Sequence, residues 1–418
     1  LHLTERLADT KEDRELRVAL AVSIGSMTIP WRPEGDGSVG ATEESADLRH
    51  RDDLVRFLLE LQEDEDTDLV RSHLVVALGE LFRDGGGAES LRAEVAERLI
   101  QALDERHTPN VRNGLMMALG HMGTAWGAES DKRIRAFLLA SSVDGRGGER
   151  NDFTRRLALM ALAEVSSRSP GPAPAPDSTR ATFEQAVTER LKSAGEQETT
   201  WLCLAAASYA ARSQAQGQEL GPELLFALEG VLDKGKSADR LATASLALGL
   251  AGNASSAPAI ERVLARAGNA DVRGYTALAL GLLRHEEATD ELQVLLHQNR
   301  YQATALEHTA MGLALLNRSK AREGLGDLLG AAHSQTLAGG IAVALGRIAD
   351  PAAAPTMASY VADKDTPAVL RSFCTVSLGM LADGRELPWR RHLARGVNYP
   401  AWSPTLFHLD GMGVLNIL

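Results

Sequence analysis

The chain has 418 residues, 44% of them hydrophobic and 24% charged, a composition that excludes disorder. Aromatics at 4% are thin for a β-sandwich or an aromatic-lined pocket enzyme, two cysteines, Cys203 and Cys374, exclude a disulfide scaffold and a four-cysteine zinc site, and charges interrupt every apolar run before the roughly 18 residues a membrane span needs. The net charge of −12 sits wholly in residues 1–110, with 25 Asp/Glu against 13 Lys/Arg, which repels phosphate and argues against nucleic-acid binding.

Along the chain one short pattern recurs. It opens on Arg, commonly after an aliphatic residue, and closes eight residues later on a small residue that ends an Ala-Leu-Gly-like triplet. In chain order the copies are Arg17 with Ser23-Ile24-Gly25, Arg71 with Ala77-Leu78-Gly79, Arg112 with Ala118-Leu119-Gly120, and Arg155 with Ala161-Leu162-Ala163. A degraded copy lies near residues 201–211, where Cys203, Ala206 and Ala207 keep the apolar spacing without the glycine. Then come Ala247-Leu248-Gly249, Arg273 with Ala279-Leu280-Gly281, Ala310-Met311-Gly312, Ala344-Leu345-Gly346, and Arg371 with Ser377-Leu378-Gly379.

From Gly249 onward the glycines stand 32, 31, 34 and 33 residues apart. That length holds two helices of about a dozen residues and two turns. Earlier spacings of 54, 41 and 43 residues are the same unit with surface insertions, at 28–47, 85–89, 144–152, 166–178 and 213–222, each rich in Gly, Pro or Ser. In the last unit the helices are predicted over 352–362 and 368–381, joined by a turn at 363–367. The second helix of each unit is apolar around nearly its whole circumference, and only stacked neighbours can bury it. Glycine in a helix costs about 1 kcal/mol relative to Ala, so its recurrence implies a compensating close contact. The repeated Arg is expected to bond between turns and neighbouring units.

The expected organisation is an acidic, insertion-rich repeat region at 1–168, a Pro/Ala/Ser-rich loop at 169–178, regular repeats at 179–385, and a tail at 386–418. That tail carries Trp389, Tyr399, Trp402 and Phe407 and is expected to cap the apolar end of the stack. A second aromatic segment, Ile29-Pro30-Trp31, opens the first insertion.

The run from Thr366-Pro367-Ala368-Val369-Leu370-Arg371 to Gly379, and that from His107-Thr108-Pro109-Asn110-Val111-Arg112 to Gly120, resemble HEAT repeats. They are most similar to the bacterial HEAT-like subclass that also occurs in phycobilisome bilin lyases, and the resemblance covers residues 7–381. It implies an all-α fold: an armadillo-like α-solenoid, or α–α superhelix, of about ten helical hairpins whose second helices line a concave side. The Asp usual in the family six residues before the Arg is present as Asp365 for Arg371, whereas Ala267 and Arg106 replace it in two other units.

Polar residues one past the small residue, Glu80, His121, Glu164 and Arg347, with Ser72, His73 and Asn113 alongside, are the candidate groove lining. Their mixed charge suits a protein or peptide better than phosphate. Metal-binding HEAT hydroxylases carry several His-Glu pairs; here only His285-Glu286 has that order, and no metal or cofactor is expected. Cys203 and Cys374 fall at apolar helix positions, where a thiol is an inert small hydrophobe. Gly-x-Ser-x-Gly and a Walker loop are absent, and Gly145-Arg146-Gly147-Gly148 reads as a surface loop.

These features predict a non-catalytic scaffold that binds a protein or peptide partner, of a kind the sequence does not specify, on the concave surface. A bilin-lyase-like auxiliary holding a chromophore or its acceptor protein is one alternative, and a HEAT-like DNA-repair enzyme another. The composition fits a soluble cytoplasmic protein. Because the first residue is Leu1 rather than Met, an exported mature chain is the other reading. Oligomeric state is not specified by any feature of the sequence.

Overall fold

A computed structural model describes residues 2–25, 27, 30, 50–83, 86–105, 107–143, 151–169 and 175–382. The tail expected to cap the stack, Trp31, the run 145–148 and residues 170–174 of the Pro-rich loop lie outside the described residues. Among the described residues there are helices and no strands, and no helix is long and apolar enough to cross a membrane.

Contacts group the chain into two units, Leu1–Phe183 and Glu184–Leu418. In the first, the hairpins are α1 (His2–Ala8) with α2 (Arg14–Gly25), α3 (Arg51–Asp64) with α4 (Asp68–Glu80), α5 (Glu89–Asp104) with α6 (Pro109–Met122), and α7 (Glu129–Ser141) with α8 (Asp152–Ser167). The division falls inside α9 (Asp177–Leu191). In the second unit α10 (Glu196–Ala215) precedes α11 (Pro222–Lys234) with α12 (Ala238–Ala251), and α13 (Ala257–Arg266) with α14 (Ala270–Leu282). Three more hairpins follow: α15 (Thr289–Gln298) with α16 (Ala303–Leu316), α17 (Arg318–Gly330) with α18 (Gln335–Arg347), and α19 (Ala354–Ala362) with α20 (Ala368–Ala382).

Within each unit the second helices pack successively on one another, α2 on α4, α6 and α8 in turn, and α10 on α12 through to α20. Each first helix rests on its own partner. The result is an α-solenoid of stacked hairpins. Burial follows that arrangement. In α12 every residue from Leu241 to Ala251 is buried, whereas α13 buries one stripe: Ala257, Ala259, Ile260, Val263 and Leu264. A helix covered on several sides must be apolar all round, and a helix on the outer layer needs one apolar face.

The recurring glycines sit where second helices touch. A Cβ added to Gly79 would lie 2.5 Å from the Cα of Ala118, and one added to Gly25 or Gly249 would lie 2.8 Å from the Cα of Ala77 or Ala279. Gly120 meets the Cβ of Ala161 at 2.8 Å, and Gly346 the Cα of Ser377 at 3.0 Å. Each glycine therefore contacts the small residue that opens the triplet of the next copy. Gly281 departs from this register and abuts Gly312, whose own added Cβ would strike the backbone of Ala277. No described residue lies within 4 Å of a Cβ on Gly379, in the last helix of the stack.

The recurring Arg has a second job. Its guanidinium donates to carbonyls at the end of the first helix of its own hairpin. Arg17 reaches Leu7 O at 2.8 Å, Arg71 reaches Glu63 O at 3.0 Å, and Arg112 reaches Leu103 O at 2.6 Å. Arg273 and Arg371 do the same with Ala267 O at 3.1 Å and Val361 O at 3.2 Å. These carbonyls are the negative end of the helix and lack intrahelical partners, so a cation there is favourable. Arg17 also pairs with Glu65, and Arg273 reaches Asn299 at 3.3 Å, which ties each of those hairpins to the next. Arg155 instead pairs locally with Asp152 at 2.7 Å.

Helix ends fall close to their expected positions, with two differences. Loops expected from Ser166 and Ser213 begin later, because α8 runs through Ser167 and α10 through Ala215. The Ser167 hydroxyl donates to Ala163 O at 2.8 Å, so a serine that often ends a helix is satisfied inside this one.

Gly79→Ala is expected to lower stability by about 1–3 kcal/mol, the usual cost of overpacking. Gly230→Ala in α11, where no described residue lies within 4 Å of the new methyl, is expected to raise it by up to about 1 kcal/mol. Urea unfolding of the two variants side by side measures both signs.

Candidate functional site

Glu80, His121 and Glu164 occupy the same repeat position in α4, α6 and α8, and stacking in register brings them together. His121 Nε2 lies 3.4 Å from Glu80 Oε1, and Nδ1 lies 3.8 Å from Glu164 Oε1. Arg83 pairs with Glu80 at 3.1 Å and reaches Glu164 at 3.8 Å. Arg168, just past α8, pairs with Glu164 and donates to the carbonyls of Gly120, His121 and Gly123, closing the end of α6. The helix wheel sets these polar positions beside the apolar face, yet His121 is only 2% exposed and Glu164 only 4%. Glu80 and Arg83 are half-buried and form the accessible side of the cluster.

Burial holds the His121 imidazole below its ordinary pKa, opposed by the carboxylates of Glu80 and Glu164 and reinforced by the guanidiniums of Arg83 and Arg168. A neutral imidazole between two carboxylates, each matched by an arginine, is internally balanced. Such a cluster can present fixed polar groups.

Ser72 and Asn113 precede Glu80 and His121 by eight residues and His73 precedes Glu80 by seven, which at about 1.5 Å per residue sets them roughly 10–12 Å nearer the helix starts. The Ser72 hydroxyl donates to Leu69 O at 2.7 Å, and His73 Nδ1 lies 2.8 Å from the same carbonyl. Asn113 Oδ1 accepts from the Thr154 hydroxyl at 2.7 Å, a link from α6 to α8. These three are not part of the Glu80–His121–Glu164 cluster.

Arg347, in the second unit, belongs to a separate group. It pairs with Glu307 of α16, and beside it His308 packs on Tyr275 of α14 with ring centroids 4.3 Å apart. Burial pushes the Glu307 carboxyl up to about 7 despite the pull of Arg347. Burial, and then Arg347, push His308 down to about 3. Sequence reasoning missed Glu307 and His308. A signal existed: they are an adjacent acid and imidazole inside the otherwise apolar run of α16.

His285 follows α14 and pairs through Nε2 with Glu261 at 2.7 Å and through Nδ1 with Glu287 at 3.1 Å. Among the described residues no three His, Cys, Asp or Glu converge as metal ligands would. Cys203 and Cys374 are buried, and burial pushes the Cys203 thiol up to about 12, far from the thiolate a nucleophile needs.

No family model and no curated protein sequence matches the chain. Solved helical structures overlap it loosely. Human deoxyhypusine hydroxylase in complex with glycerol is 17% identical, over 91% of this chain and 95% of that one, with a TM-score of 0.27. The karyopherin Kap121p bound to the extreme C-terminus of the protein phosphatase Cdc14p is 14% identical over 91% of this chain, with a TM-score of 0.43. Kap121p bound to Pho4p, also 14% identical over 91%, gives 0.41, and this chain spans 41% of the length of either karyopherin chain. With all three scores below 0.5, none carries a functional argument.

The Glu307 group sets a pH dependence. Its folded pKa lies above the ordinary 4.5, so between about 4.5 and about 7 the folded state holds more protons and stability falls as pH rises. His308 acts oppositely: stability is lost as pH falls from 6.5 toward about 3. Glu307→Gln removes the first effect alone. Chemical unfolding at several pH values is expected to show the wild type gaining on this variant as pH drops from about 7 to about 4.5; a flat or opposite difference contradicts the buried carboxyl.

Proposed function

We propose that the chain is a non-catalytic scaffold that binds a protein or peptide partner on the layer of second helices in the first unit. The observation that carries this reading is the Glu80–His121–Glu164 cluster with its two arginines, whose groups are fixed before any partner arrives. Preorganised side chains lose little entropy on association, which is how a scaffold gains affinity without chemistry. His73, Glu80 and Arg83 are the groups a partner would touch. Ser72 touches His73, and His121 and Glu164 hold Glu80 and Arg83 from behind; Asn113, bonded to Thr154, and Arg347, paired with Glu307, stand apart from these groups. Mixed charge at this layer suits a polypeptide carrying both signs.

The test uses affinity capture with the whole chain, followed by a measured Kd for the captured protein. Changing His73, Glu80 and Arg83 together to Ala is expected to weaken that Kd at least about tenfold, the effect of a 1.4 kcal/mol loss, while leaving the melting temperature of the chain nearly unchanged. An unchanged Kd overturns the assignment of the face, and turnover of the partner overturns the non-catalytic reading.

A further inference from the structure

A cavity of about 340 Å³ opens between α7, α8 and the first turns of α9, all within the first unit and away from the cluster above. Its floor is apolar, made by Leu139, Leu162 and Phe183. Its charged lining has one sign: Lys132 and Arg135 border it, and among the described residues no carboxylate does. Lys132 is 57% exposed and leans on Glu129 at 3.2 Å, so its ammonium is free to turn toward the opening. The Arg135 Nη1 donates to the carbonyls of Thr124 and Trp126, which holds that guanidinium in place.

The hydroxyls divide into two kinds. Thr179 donates to Ala125 O at 2.9 Å and Thr182 to Ser178 O at 2.8 Å, so their protons are already committed. Ser166 is only 1% exposed and lines the cavity, and its hydroxyl has no side-chain hydrogen bond among the described residues. Ser178 and Thr179 add the N-terminal turn of α9, the positive end of its dipole, at the same opening.

We propose that this cavity is a binding site for a compact organic monocarboxylate, with its apolar body on Leu139, Leu162 and Phe183 and its carboxylate toward Ser166, Lys132 and the start of α9. Volume and charge set that class. About 340 Å³ is near the lower end of small-molecule sites, roughly 300–1,000 Å³. One lysine already shared with Glu129, and one arginine already engaged with carbonyls, balance a single negative charge better than a phosphate dianion. The site does not depend on the scaffold reading and stands or falls separately from it.

The test is calorimetric titration of the full chain with benzoate, and with benzyl alcohol and benzylamine as neutral and cationic counterparts. Benzoate is expected to bind, benzyl alcohol at least about tenfold more weakly, and benzylamine not at all. Ser166→Ala and Lys132→Gln are each expected to weaken benzoate several-fold, and Leu139→Trp, which fills the opening, to abolish binding. Thermal melts of the three variants distinguish loss of the site from loss of the fold. Absence of benzoate binding at millimolar concentration overturns the proposal, as does equal binding of acid and alcohol, or benzoate affinity unchanged in a folded Ser166→Ala chain.

Discussion

Backbone-to-backbone contact between successive second helices is the constraint on which the rest of this structure depends. A helix can approach another that closely only where one surface has no side chain, and Gly79 against Ala118 or Gly249 against Ala279 meets that condition. Close approach fixes register. Residues at equal positions in successive copies then become spatial neighbours, which is why Glu80, His121 and Glu164, 41 and 43 residues apart, form one cluster. Sequence periodicity is converted into a ladder of side chains by a packing rule and needs no further device.

Arginine does the complementary work at the helix ends. Stacked hairpins place many helix C-termini close together, each with unpaired carbonyls. The repeat Arg answers the first helices. The second helices are answered by residues outside the repeat: Arg51 donates to Leu81 O at 3.0 Å, Arg168 to the end of α6, and Arg284 to Leu315 O. Burying these guanidiniums carries a desolvation cost that carbonyl or carboxylate partners offset only when the geometry is right. Such contacts therefore favour one register of the stack over its neighbours.

Much of the architecture is legible in the sequence because the contact that builds it leaves a mark there. Each Ala-Leu-Gly triplet locates a second helix, and the helices expected at 352–362 and 368–381 correspond to α19 and α20, the former beginning with a short 3-10 turn at Pro351–Ala353. The site was legible only in part. Equal repeat position marks Glu80, His121 and Glu164 as neighbours, but a helix wheel says nothing of Arg83 and Arg168 closing over them. Arg168 follows Ala163 by five residues and Arg83 follows Gly79 by four, so no fixed spacing announces them. The shift that sets Gly281 against Gly312 rather than Ala310 is likewise tertiary. Glu307 and His308 stand five and four residues before Gly312 rather than one past it, so the repeat position that marks the other polar residues does not mark them.

The central claim is that within each unit the second helices form a buried layer and the first helices an outer one. Hydrogen exchange resolved helix by helix tests it most directly, since amide protection reports local opening free energy. The account predicts that α4, α6, α12 and α14 exchange at least about tenfold more slowly than α3, α5, α11 and α13 of the same hairpins, a difference of about 1.4 kcal/mol. Equal protection across both layers, or slower exchange in the first helices, would contradict it.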